Sequence, residues 1–358
     1  MQPFVTGLEL SGRFYGEVVA PLVRAHWPTL SYSAALLGAG SEVLGYDTPM
    51  STDHDWGPRV LLFLLEGDPG LAARVVALLR EGLPEVYAGW KVPLPVGPEE
   101  AGAPARTYVG PLSAFVERLL GVGLERDLAA ADWLSIPSQA LREMTAGAVF
   151  HDGLGTLLPL RERLSYYPRD VWLYMLAAGW QRLGQEEHLM PRAGHAGDEV
   201  GSSLIGARLV RDVVSLCFLM ERRYAPYPKW FGTAFRGLAC AGDLEPLLAT
   251  ALRAEHWPER EEALVAAYEH LARLHNTLDL TEPLAPEARR FFDRPFRVID
   301  GERFARALSA RIVDPAVRAL LGAPLVGSVD QWSDSTDLKA PALRRAVRSL
   351  YEAAGHTS

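Results

Sequence analysis

Apolar residues recur every three or four positions over residues 5–26 (Leu8, Leu10, Phe14, Val18, Val19, Leu22, Val23), which predicts a helix closed by Pro28. Two short, continuously apolar runs follow, residues 33–38 and 59–65, and read as buried strands. Between them, residues 40–58 are polar and rich in Gly, Pro and Asp. The spacing predicts an amphipathic helix over 71–83, a third strand over 86–93, a loop over 97–106, helices over 111–120 and 137–144, and a last strand over 146–152 ending at the Asp152-Gly153 turn. After about residue 165 the period is almost wholly helical, with long runs at 171–190, 202–223 and 260–274. Pro168, Pro191, Pro226, Pro228 and Pro258 fall between runs as stops. This order of elements predicts an α+β protein: a small mixed-sheet domain over residues 1–160, then an all-helical domain over 161–358.

The chain of 358 residues is long enough for two such domains. Its formal net charge of −8 argues against a broad basic face for nucleic acid, though it leaves room for a local basic cleft. Cys217 and Cys240 are too few for a disulfide scaffold or a cysteine zinc cluster. The His residues show no zinc-ligand spacing. No apolar run of about 18 residues predicts a membrane span, and the first residues lack the basic and apolar regions of a secretory signal. These features lead us to expect a cytoplasmic protein. There is no P-loop and no nucleophile elbow.

The chemistry concentrates in the polar segment. Gly40-Ser41 follows the first strand, where a glycine lets backbone N–H groups approach a phosphate. Asp53-His54-Asp55 reads as the opening of the next strand. Alternate strand residues share a face, so Asp53 and Asp55 would present two carboxylates together. Two like charges so close call for a cation, and hard oxygen ligands suit Mg²⁺ or Mn²⁺. A turn rich in Asx residues is the competing reading.

Gly40, Ser41, Asp53 and Asp55 together resemble the signature of the polymerase-beta-like nucleotidyltransferase superfamily. More closely, residues 40–47, 51–59, 166–172 and 224–230 are similar to an uncharacterised bacterial family within it. The resemblance implies a metal-dependent transfer of a nucleoside monophosphate, AMP for choice, from a nucleoside triphosphate such as ATP to a hydroxyl or phosphate of a small-molecule acceptor. It implies that Asp53 and Asp55 hold the metal and that a third carboxylate on a later strand joins them. Asp152 is the candidate for that role, with Glu66 as alternative, and a turn-initiating role for Asp152 is the competing reading. Where that superfamily commonly places an apolar residue between the two acids, this chain has His54. Arg161, Arg163 and Lys229 are candidate phosphate ligands, against the readings of surface arginines and of a proline-cornered elbow between helices. Asp198 or Ser202 is expected to cap the helix that follows. The alternative functional reading is a non-catalytic nucleotide sensor, or an antitoxin-like partner of another protein.

Overall fold

The computed structural model describes residues 4–53, 56–99, 107–123 and 126–355. The chain divides into two compact units. The first comprises 1–128, 139–165 and 340–344, and the second 129–138, 166–339 and 345–358. The fold is α+β.

The first unit is built on a four-stranded sheet of order β5-β2-β1-β6: β1 (Tyr32–Leu36), β2 (Leu61–Leu64), β5 (Val109–Pro111) and β6 (Ala148–Asp152). β1 lies antiparallel to β2, with Tyr32 opposite Leu64 and Ala35 opposite Leu61. β5 lies parallel to β2, across a connection that contains the helix Pro69–Gly82. β6 is antiparallel to β1, with Leu36 opposite Ala148 and Ser33 opposite Asp152, and the register shifts at Ala34/Ala35.

Both faces of the two central strands are covered, which is why they read as continuous apolar runs and not as alternating ones. On one face Ala34, Leu62 and Leu64 join Phe14, Val19, Val23, Val75, Val76 and Leu79 from flanking helices. Phe63 points to the other face and packs edge-on against Phe115, with ring centroids 5.3 Å apart.

The expected strand over 86–93 is instead a two-residue-per-strand hairpin, β3 (Val86–Tyr87) and β4 (Trp90–Lys91). Ala88 and Gly89 turn it with φ of 49° and 86°. The N-terminal helical segment is one stretch in three parts, with a π-helical turn at Tyr15–Val19.

The second unit is helical apart from a two-stranded ribbon, β7 (Arg289–Arg290) and β8 (Arg297–Val298). The helix Arg169–Glu186 is buried on nearly all sides, as its all-round hydrophobicity requires. It meets the helix Gly301–Ser309 through glycines: a Cβ on Gly301 would strike the Trp180 carbonyl and approach Gly184 N to 2.9 Å. The close approach lets Trp180 stack on Phe304 at 4.1 Å between centroids. Asp198 caps the helix Glu199–Met220 by accepting from Gly201 N at 2.7 Å. Among the described residues, no helix is long and apolar enough to cross a membrane.

Candidate functional site

The chain leaves β1 at Leu36 and enters a glycine turn. Gly38 (φ 85°) donates its N–H to the Glu143 carbonyl at 2.9 Å, tying the turn to the helix Ser138–Thr145. Gly40 (φ 142°) precedes a single helical turn, Ser41–Leu44, which Gly45 ends in the left-handed region at φ 74°. Beneath the turn lies an ion pair. Glu42 and Arg59 are 2% exposed each, and the guanidinium Nη2 stands 2.7 Å from the carboxylate. Arg59 Nε donates to the same carboxylate at 2.8 Å, and Nη2 donates to the Ala39 carbonyl at 2.5 Å. A Cβ on Gly40 would come 2.5 Å from both the guanidinium and the carboxylate, so this position admits only glycine.

Asp47 pins the next stretch, accepting from Gly7 N at 2.7 Å and from Trp56 Nε1 at 3.0 Å. Trp56 in turn meets Trp90 edge-on at 4.6 Å between centroids. Arg142 donates to the Tyr46 hydroxyl at 2.6 Å. Near Arg59, burial pushes the Glu143 carboxyl up, partly countered by the Gln139 amide, which donates to it at 2.7 Å, and by the Arg59 charge.

The predicted carboxylates fare differently. Asp53 is exposed and ends a 3₁₀ helix, Pro49–Asp53; it does not open a strand. His54 and Asp55 lie outside the described residues. β2 begins only at Leu61, beyond Gly57-Pro58, so the alternating-face argument for Asp53 and Asp55 does not hold. Asp152 does end β6, but the antiparallel register sets it beside Ser33 at the start of β1, while Gly40-Ser41 follows the end of β1. The three steps along the strand from Ser33 to Leu36 alone span about 10 Å. Its carboxylate accepts from the Ser33 hydroxyl at 2.6 Å and from the N–H groups of Leu158 and Leu157 at 2.9 and 3.4 Å, at the start of the helix Leu157–Arg163. Burial pushes it up, but these donors outweigh burial and hold it below the ordinary carboxylate range. Asp152 is therefore a structural cap and does not join the turn as a third metal carboxylate. Glu66, past the end of β2, lies at the same far end of the sheet.

Arg161 is also spoken for. It donates to the Thr145 and Ala146 carbonyls at 2.6 and 3.0 Å, closing the end of the helix Ser138–Thr145. Arg163 is exposed and lines an open groove of about 710 Å³ with Leu64, Glu66, Ser113 and Leu154, again at the Asp152 end. Lys229 belongs to the second unit, where its ammonium lies 4.9 Å from the Trp230 ring centroid. Among the described residues, no three metal-ligating side chains form a cluster.

The residues that sequence reasoning missed are Glu42, Arg59 and Glu143. Glu42 sits against Gly-Ser and Arg59 opens the apolar run of residues 59–65; opposite charges at two such buried positions are a signal for a pair.

Residues 133–231 match a family described as a domain of unknown function (DUF4037). That stretch includes residues 166–172 and 224–230 and stops short of Gly40, Ser41, Asp53 and Asp55. No curated protein matches the chain. Among solved structures, a nucleotidyltransferase-like protein from Exiguobacterium sibiricum aligns at 15% identity over 76% of this chain and 78% of that one, with a TM-score of 0.32.

Proposed function

We propose that the protein is a nucleotidyltransferase that moves a nucleoside monophosphate, AMP by preference, from a nucleoside triphosphate to a hydroxyl or phosphate of a small-molecule acceptor. The observation that carries this reading is the Gly40-Ser41 turn. A glycine with φ of 142° is held at the exit of a central strand, and an aspartate follows at the spacing of the nucleotidyltransferase signature. Backbone N–H groups of such a turn suit phosphate oxygens. Asp53 and Asp55 would hold Mg²⁺ or Mn²⁺, which supplies charge neutralisation to a triphosphate when bound. Asp152 and Arg161 have no part in this assignment, for the reasons of register and hydrogen bonding given above.

One observation favours the second reading, a non-catalytic nucleotide sensor: the later-strand carboxylate expected to complete the site caps a helix at the other end of the sheet. Two measurements separate the readings. Calorimetric titration with ATP and Mg²⁺ is expected to give saturable binding that Asp53→Asn weakens at least about tenfold. Pyrophosphate release across a panel of hydroxyl and phosphate acceptors distinguishes the enzyme from the sensor. Full metal-dependent binding by Asp53→Asn would place the site elsewhere.

A further inference from the structure

The buried pair under the Gly40-Ser41 turn lies outside the metal-and-phosphate assignment above. An ion pair at 2% exposure is a costly way to hold a loop, since two charges leave water and equally bulky apolar residues often serve better. Its geometry gives it a second effect. Arg59 Nη2 draws the Ala39 carbonyl toward the pair at 2.5 Å. Across a trans peptide the carbonyl and the next N–H point in opposite directions. The Gly40 N–H is therefore turned away from the pair. The same guanidinium places a positive charge directly under the turn, and Glu42 offsets it at 2.7 Å. The surroundings of Arg59 also include the Ser11 hydroxyl, which accepts the Arg59 backbone N–H at 3.2 Å, and the Glu143 carboxyl.

We infer that the Glu42–Arg59 pair sets the anion affinity of the Gly40-Ser41 turn. Arg59 is a positioning residue that aims the Gly40 N–H outward and attracts phosphate, and Glu42 holds that attraction down. The inference rests on the proposed phosphate-binding role of the turn and deepens it.

The two partners therefore have opposite effects on binding, although loss of either destabilises the fold. Calorimetric titration of the full chain with ATP·Mg²⁺ and with inorganic triphosphate, alongside thermal unfolding of each variant, tests this. Arg59→Gln is expected to weaken both ligands at least about tenfold, the scale of one unit charge acting through a partly polar interior. Glu42→Gln is expected to tighten both about threefold or more at low salt, and the gain should fade near 1 M salt, where screening acts within about 3 Å. Arg59→Lys keeps the charge but not the fork that holds both Glu42 and the Ala39 carbonyl, so it should fall between Arg59→Gln and the native chain. If Arg59→Gln does not fold, the comparison of Arg59→Lys with Glu42→Gln carries the same sign test. Weakening by both Glu42→Gln and the Arg59 variants, in proportion to lost thermal stability, would reduce the pair to a structural brace and overturn the inference while leaving the phosphate site standing. A native chain that binds neither ligand would overturn the phosphate reading itself, and this inference with it.

Discussion

The two ends of the first unit's sheet handle carboxylates in opposite ways. At the start of β1, Asp152 is partly exposed and takes a hydroxyl and two backbone N–H groups, so its charged form is favoured. At the exit of β1, burial pushes Glu143 up despite its amide donor and the neighbouring guanidinium. The first arrangement fastens a strand to a helix and leaves little acceptor capacity for anything else. The second keeps a largely buried carboxyl, a buried ion pair and glycines of positive φ beside one turn, a concentration of perturbed groups that accompanies sites more often than scaffolding.

Glu187, in the second unit, sharpens this comparison by separating donors from burial. Its carboxylate accepts from Ile299 N at 2.5 Å and Gly301 N at 3.2 Å, yet it is 3% exposed and burial pushes it up to about 7. Deep burial thus outweighs two good donors. Between about pH 4.5 and 7 the folded chain holds the Glu187 proton and the unfolded chain has released it, so this group makes stability fall as pH rises, by about 3 kcal/mol in total. His275 acts in the opposite sense. Burial pushes it down to about 4, so below about pH 6.5 the unfolded chain takes up a proton that the folded chain refuses, and stability rises with pH from about 4 to 6.5. These two contributions nearly cancel over about pH 4.5–6.5. Denaturant unfolding of Glu187→Gln across that range should expose the rising limb, and His275→Gln the falling one. Equal pH profiles for both variants would mean that neither group is held as its burial implies.

The next effect is smaller and bears directly on the two ends of the sheet. Asp152→Ala removes a cap and the Ser33 bond together, with an expected loss of about 2 kcal/mol. With its carboxyl held below the ordinary range, Asp152 contributes this stability above about pH 4, and the contribution is lost as pH falls through its lowered folded value. Affinity for ATP·Mg²⁺ should stay within about twofold of the native chain. Loss of metal-dependent binding in Asp152→Ala at unchanged thermal stability would return this residue to the site and break the separation.

Much of the sheet was legible because β1 and β2 are buried on both faces, which forces uninterrupted apolar runs, and β6 ends at a turn dipeptide. Three strands were not. β5 has three residues ending in Pro111, so its pattern is lost in the start of the following helix. The hairpin at Val86–Lys91 turns on Ala88-Gly89, where a left-handed alanine gives no warning in the sequence. The Gly40-Ser41 turn was legible from glycine placement, but the strand assigned to Asp53 and Asp55 was not sound. Gly57-Pro58 stands between them and β2, and a proline after a glycine is a stop signal that the apolar run beyond it obscured. The pairing of Asp152 with Ser33 depends on register between strands 119 positions apart in sequence, which no local pattern encodes.

Arg161 and Arg163 put the smallest effects to the same test. They sit two residues apart in one helix and look alike in sequence, yet their surroundings differ. Arg161 bonds two carbonyls at the end of the helix Ser138–Thr145, whose acceptors would otherwise lack partners. Arg161→Ala should lower stability by about 1 kcal/mol. Arg163 pairs with the Asp127 carboxylate at 3.9 Å, with side chains 44% and 97% exposed. Such a pair contributes little, so Arg163→Ala should change stability by less than about 0.5 kcal/mol. Because Arg163 lines the groove at the Asp152 end, its loss should also leave ATP·Mg²⁺ affinity unchanged. If Arg163→Ala instead weakens nucleotide binding severalfold while Arg59→Gln does not, the phosphate site lies in that groove, and the roles assigned here to the two ends of the sheet are reversed.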